Sequence, residues 1–146
     1  MTERYSLEAT FYRTALLLGL VTGDCVHRWA EKAIEREAEP SPAFFELMSV
    51  PTSDLTGLRH ALWPLVIDPD PPAVLEVIFG RLRADLAGDQ RDLKDTLTII
   101  RQMRSMLRLP PRVYAALNAM FVTYAENPQR VVIEEWLGQF SRSSIE

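Results

Sequence analysis

Residues 89–111 read DQRDLKDTLTIIRQMRSMLRLPP, and this stretch decides the fold class. Its apolar side chains recur every three or four residues, which is the repeat of one face of an α-helix. They are Leu93, Leu97, Ile100, Met103 and Leu107. Asp89 is a residue type that favours the N-cap, and Leu109-Pro110-Pro111 ends the run because proline cannot continue a helix. We therefore predict a helix over residues 90–108, about 28 Å long at 1.5 Å per residue.

Helix-capping and helix-breaking residues also occur on both sides of this segment. Predicted helix starts are Ser6, Thr22, Ser41-Pro42, Thr52-Ser53-Asp54, Pro72 and Asn127-Pro128, and a further helix centres on Leu117. No segment shows sustained two-residue alternation, and the Asn-Gly and Asp-Gly hairpin dipeptides are absent from the sequence. We therefore predict an all-α protein, an irregular antiparallel bundle of seven or eight helices, with stacked HEAT-like helical hairpins as the alternative.

Length and composition favour one cytoplasmic domain. The 146 residues are 47% apolar and 25% charged, the proportions of an ordinary globular protein, so we predict a single helical domain over 1–146. Cys25 is the only cysteine, which excludes an intramolecular disulfide. The first residues carry no signal-peptide pattern, and no apolar run approaches the ~20 residues of a membrane span.

The sequence offers little catalytic or metal chemistry. Cys25 and His27 lie two positions apart on a predicted helix, where side chains do not face each other. Cys25 is adjacent to Val26 on an apolar stripe, which favours a buried structural thiol over a reactive one. His27 and His60 are the only histidines, and no zinc-finger, EF-hand or phosphate-loop pattern is present. We predict that the protein is not an enzyme and uses no metal or cofactor.

Charge is unevenly distributed along the chain, which has a net charge of −4. Residues 1–89 carry 14 acidic and 8 basic side chains, whereas residues 90–146 carry 6 and 8. The acidic patch consists of Glu31, Glu35 and Glu39. The basic stripe of the long helix consists of Arg91, Lys94, Arg101 and Arg108. Each set fits either a solvated helix face or a binding surface, and the overall acidity disfavours bulk nucleic-acid binding.

Aromatic residues are expected mainly in the core. Trp29, Trp63 and Trp136 all lie on apolar stripes, and an exposed tryptophan would instead suggest an interface anchor. Phe44 and Phe45 are adjacent on one short helix, so an exposed apolar patch there would favour self-association.

One resemblance covers the N-terminal third. It is carried by Leu17-Leu18-Gly19-Leu20-Val21, Val26, Trp29-Ala30, Ile34, Glu39-Pro40 and Phe45-Glu46-Leu47. This pattern resembles small bacterial all-helical proteins, some of which are similar to immunity proteins of bacterial toxin systems. The resemblance implies an inhibitory, protein-binding role and assigns no functional residue.

Three functions follow as hypotheses. The first is a non-enzymatic module that binds another protein, such as a basic toxin, with Glu31, Glu35, Glu39, Arg101 and Arg108 as candidate partner-binding residues. The second is a nucleic-acid-associated regulator that uses the basic stripe. The third is a helical protein that binds a small ligand between its helices.

Overall fold

The computed structural model describes residues 5–67 and 71–142. Within those ranges it contains eight α-helices and no strand, which confirms the predicted all-α class. The helices are α1 (Ser6–Leu18), α2 (Gly23–Arg36), α3 (Pro42–Ser49), α4 (Leu55–Leu62), α5 (Pro71–Ala87), α6 (Leu93–Met106), α7 (Pro111–Glu126) and α8 (Arg130–Arg142), and a 3₁₀ turn (Trp63–Leu65) follows α4. None of the described helices is long and apolar enough to span a membrane.

The chain divides into two compact units, which we call the N unit (Met1–Asp70) and the C unit (Pro71–Glu146). The assignment of residues 1–146 to one domain stays a prediction.

The N unit is built on two helix pairs, α1 with α4 and α2 with α3. Its largest fully buried side chains are Tyr5, Phe44, Leu47, Leu58, Leu62 and Leu65. The ring centroid of Phe44 lies 5.1 Å from that of Tyr5 and 5.5 Å from that of Trp29, both with edge-on geometry. Trp29 is half-buried, and its indole N–H donates to the Glu8 carboxylate. Aromatic packing therefore joins α1, α2 and α3, with Trp29 at the edge of the core.

Gly23 lets the start of α2 approach the chain segment between α3 and α4. A β-carbon at this position would come within 2.7 Å of the Thr52 carbonyl carbon and 2.9 Å of a Leu58 methyl group. Because the first of these is backbone, it cannot move aside as a flexible side chain would. The close approach therefore requires glycine at this position.

In the C unit, α8 packs against both α5 and α7. The largest fully buried side chains are Ile78, Phe79, Leu82, Leu86, Ile100 and Met103. The Trp136 ring meets the Phe79 ring edge-on at 5.2 Å, and its indole N–H donates to the Ala116 carbonyl at 3.1 Å. At the start of α8, Arg130 donates to Asp89 at 3.0 Å and also to the Leu86 carbonyl oxygen. These contacts link α8 to the end of α5.

Two predicted helix starts are confirmed by capping hydrogen bonds. The Ser41 hydroxyl accepts the Ala43 amide at 3.3 Å, and the Asp54 carboxylate accepts the Gly57 amide at 3.0 Å. Both residue types satisfy amides that have no partner within their own helix.

Two other helices begin where predicted but without a capping bond from the predicted side chain. Ser6 is the first residue of α1 rather than its cap, and its hydroxyl accepts the Ile67 amide at 3.1 Å. Thr22 occupies the N-cap position of α2 but makes no capping bond with its side chain. The same helix ends at Arg36.

Helix α6 is shorter than the helix predicted over residues 90–108. Asp89 lies in a left-handed turn with φ 58, so it cannot begin the helix. Asp92 caps α6 instead and accepts the Asp95 amide at 2.7 Å. At the other end Leu107 is extended, with φ −105 and ψ 150, which stops the helix after Met106.

Candidate protein-binding surfaces

Cys25 and His27 lie near the start of α2 but have different partners. Cys25 is half-buried, with its Sγ 3.5 Å from Thr22 Oγ1 and 3.7 Å from an Arg28 terminal nitrogen. The hydrogen bond from Thr22 lowers the pKa of the thiol, burial opposes this shift, and Arg28 adds a smaller lowering effect. The His27 Nε2–H donates to the Val50 carbonyl at 2.8 Å. Cys25 is therefore less buried than the structural thiol that was predicted, and Cys25 and His27 bond to different partners.

No metal-binding cluster is evident in the described part of the chain. Within residues 5–67 and 71–142, no group of three or more histidine, cysteine, aspartate or glutamate side chains is placed to hold an ion.

The acidic patch lies partly on α2 and partly beyond it. Glu31 and Glu35 are exposed and one helical turn apart, whereas Glu39 is exposed on the connection that follows the helix. Among the described residues, none of the three forms a salt bridge. Glu37 differs from them because its carboxylate accepts the Tyr5 hydroxyl at 2.6 Å. The structure therefore brings Glu31 and Glu35 together and leaves Glu39 as an extension of the patch.

The basic stripe does not form as predicted. Arg91 and Arg108 lie outside α6, which leaves only Lys94 and Arg101 of the predicted set on the helix. Arg91 donates to Asp95 at 2.7 Å and lies 3.7 Å from Asp85. The Arg91 side chain is therefore paired with carboxylates of the C unit.

The two basic candidate residues have different environments. The Arg101 guanidinium lies 5.2 Å from the Phe121 ring centroid, and Arg104 lies 5.0 Å from the same ring. Arg104 also donates to the Asn118 side-chain oxygen at 3.0 Å. Arg108 is exposed beyond the end of α6. A single helix face therefore does not present Arg101 and Arg108 side by side.

A third cluster, which the sequence did not indicate, joins α1 to the end of α4. Trp63 is 56% exposed, contrary to its predicted place in the core, and the Arg13 guanidinium lies 4.4 Å from its ring centroid. Arg13 Nε donates to the Arg59 carbonyl and Arg59 Nε donates to the Arg13 carbonyl, both at 2.9 Å. We call this the Arg13–Arg59–Trp63 cluster.

Positive charge accumulates in this cluster. Burial lowers the pKa of Arg13, and the neighbouring charge of Arg59 lowers it further. The Arg13 guanidinium remains protonated at neutral pH, because arginine titrates far above that range. In the described residues, neither arginine has a carboxylate within salt-bridge distance.

Little in the sequence indicates this cluster, because its members are remote from one another along the chain. Arg13 and Arg59 are 46 positions apart, and no local spacing predicts their meeting. The one usable signal is Pro64, since proline disrupts a helix. Trp63 consequently begins a 3₁₀ turn after α4 and does not continue the buried face of that helix.

Two clefts in the C unit bear on the small-ligand hypothesis. One, of about 410 Å³, lies between α7 and α8 and is lined by Met120, Thr123, Val132 and Trp136 among others. The second, of about 360 Å³, includes Arg83 and Glu134. Both volumes are near the lower end of the range for ligand pockets.

Comparisons of the chain with protein-family models, with curated proteins and with solved structures find no match.

Proposed function

We propose that the chain is a non-enzymatic protein-binding module whose acidic patch docks a basic protein partner, such as a toxin. The observation that supports this proposal is the pair of exposed carboxylates at Glu31 and Glu35, one turn apart on α2 and without a salt bridge among the described residues.

A basic partner would relieve repulsion within this patch. Like charges at positions i and i+4 destabilise a helix by roughly 0.2–0.5 kcal/mol. The free protein carries that penalty at Glu31 and Glu35, and a lysine or arginine from a partner would convert it into attraction. Complementary charge also accelerates association and disfavours acidic competitors.

The other two hypotheses receive less support. A nucleic-acid regulator would need several adjacent phosphate-binding cations, whereas Arg91 is engaged with Asp85 and Asp95. A small-ligand protein would use a cleft such as that between α7 and α8, but its volume of about 410 Å³ is near the lower end of the range for ligand pockets.

Charge reversal provides the test of the proposed function. The full chain and its Glu31→Lys/Glu35→Lys variant are immobilised and exposed to lysate of the source organism, and retained proteins are identified by mass spectrometry. The variant inverts the sign of both exposed positions on α2, and circular dichroism establishes that it keeps the helix content of the wild type. Glu126→Lys/Glu135→Lys is the matched control, because it changes the net charge equally at exposed positions of the C unit.

We expect one basic protein to be retained stoichiometrically by the wild type and by the control, and to be lost from the patch variant. Its association rate with the wild type should also fall steeply between 50 and 300 mM NaCl, as roughly expected for electrostatic steering. Equal retention by the patch variant, or the absence of any basic protein among the retained set, would contradict the proposal.

A further inference from the structure

The Arg13–Arg59–Trp63 cluster combines the side chains that most often dominate binding energy at protein interfaces. Tryptophan and arginine are enriched among such residues. We infer that this cluster is a second docking surface, and that its occupant is an acidic segment of a partner protein. The inference is independent of the acidic patch and concerns a partner of opposite charge.

The hydrogen bonds of Arg13 and Arg59 do not use the terminal nitrogens of either guanidinium, which are atoms that can bind a carboxylate. Each Nε is used to contact a backbone carbonyl of the other helix. In the described part of the chain, neither side chain has a further hydrogen bond or salt bridge. The terminal nitrogens of a guanidinium can grip a carboxylate with two parallel hydrogen bonds, which are stronger than bonds between neutral groups. Two such groups side by side therefore match two acidic side chains.

The same contacts hold the cluster in place before a partner arrives. Arg13 and Arg59 brace α1 against α4 through the reciprocal bonds, and Arg13 stacks on the Trp63 ring. Long side chains normally lose rotamer freedom on binding, and a side chain already held loses less. The cluster thus offers a prearranged surface of two cations and one exposed aromatic ring.

Charge over the N unit favours an acidic protein segment over nucleic acid. Residues 1–70 carry 11 acidic and 6 basic side chains. A nucleic acid binds through many phosphates in succession, and beyond the cluster these would meet a predominantly acidic unit. A short segment with two acidic residues and one apolar residue needs only the cluster itself.

Peptide display on the intact protein tests this inference. A random 12-residue phage library is enriched on the immobilised full chain, and the dissociation constants of selected peptides are measured by fluorescence anisotropy. We expect the selected peptides to be enriched in Asp and Glu together with an apolar residue. The Arg13→Gln/Arg59→Gln variant should bind them at least about tenfold more weakly, since it removes both charge-assisted contacts.

Two further variants make the result specific. Trp63→Ala should also weaken binding at least about tenfold, and it leaves the core intact because the ring is exposed. If the double arginine variant fails to fold, Trp63→Ala alone tests whether the cluster binds the peptides. Lys32→Gln/Arg36→Gln removes the same charge from exposed positions of α2 in the same unit and should bind like the wild type.

Several outcomes would overturn the inference. These are selected peptides no more acidic than the input library, or affinity for acidic peptides that survives both cluster variants. Tighter binding of a dT12 oligonucleotide, lost in the same variants, would assign the cluster to nucleic acid instead. Self-association in sedimentation velocity that disappears in those variants would assign it to a second copy of the chain.

Discussion

Thr22 and Arg28 determine the chemistry of the single thiol. Thr22 occupies the N-cap position of α2, yet its hydroxyl approaches Cys25 Sγ at 3.5 Å and makes no capping bond. That contact is the largest cause of the lowered thiol pKa, and the charge of Arg28 is a smaller one. The side chain predicted to stabilise the helix start thus stabilises a thiolate instead.

Replacing Thr22 should therefore shift the reactivity of Cys25 toward higher pH. We expect Thr22→Val to raise the midpoint of the alkylation rate against pH, because the thiolate loses its principal hydrogen bond. Arg28→Gln should raise it by less. The rate of reaction with iodoacetamide, measured from pH 6 to pH 10, checks both shifts, and an unchanged midpoint in Thr22→Val would be the contrary result.

The same pKa shift determines how this thiol contributes to stability. Its pKa is lowered in the folded state, so the contribution is fully present above the pKa of the unfolded chain and is lost as the pH falls through the folded value. Urea unfolding of wild type and Thr22→Val should accordingly diverge as the pH rises into the alkaline range.

At the scale of elements, local rules predicted where helices occur better than where they begin. Ser41 and Asp54 cap as predicted because their side-chain oxygens reach amides two or three residues ahead. Asp89 and Asp92 are equally good cap types, and the choice between them depends on the turn after α5. That turn places Asp89 at φ 58 and directs its carboxylate to Arg130.

Asp92 should accordingly be the residue on which the start of α6 depends. We expect Asp92→Ala to lower the free energy of unfolding by about 1 kcal/mol, because the Asp95 amide loses its acceptor. Asp92→Asn is the control and should stay near wild type, since asparagine caps almost equally well. Urea unfolding followed by circular dichroism measures the difference, and equal losses in both variants would show that charge, not capping, is responsible.

For a related reason, the sequence predicted the acidic patch but not the Arg13–Arg59–Trp63 cluster. Glu31 and Glu35 lie on one helix, so their proximity follows from a four-residue spacing. Arg13 and Arg59 meet only because α1 packs on α4. A sequence pattern can predict contacts within an element, but contacts between elements depend on packing that no local spacing contains.

At the scale of the whole molecule, each unit has a hydrophobic core of its own. Phe44 is 1% exposed and lies within the aromatic cluster of the N unit, whereas Phe79 is fully buried against Trp136 in the C unit. Units of about 70 residues are small, but many domains of that size fold alone. The two cores lead us to expect that the units unfold separately, although the sequence predicted a single domain.

Amide hydrogen exchange on the full chain can distinguish separate unfolding of the two units from unfolding as a single domain. Replacing a buried phenylalanine by alanine typically costs about 3–5 kcal/mol, which corresponds to a loss of protection of roughly two to four orders of magnitude. We expect Phe44→Ala to accelerate exchange in peptides from residues 5–67 and to leave peptides from residues 71–142 at the wild-type rate. Phe79→Ala should have the reciprocal effect.

Phe45→Ala is the matched control for this experiment, because Phe45 is adjacent to Phe44 in α3 but is 53% exposed. Its exchange should stay close to that of the wild type, since surface substitutions usually change stability by less than about 0.5 kcal/mol. Acceleration across both units by Phe44→Ala would instead mean that the chain unfolds as one cooperative domain. Binding and unfolding would then be coupled across the whole protein, and a partner that protects the N unit would also protect residues 71–142.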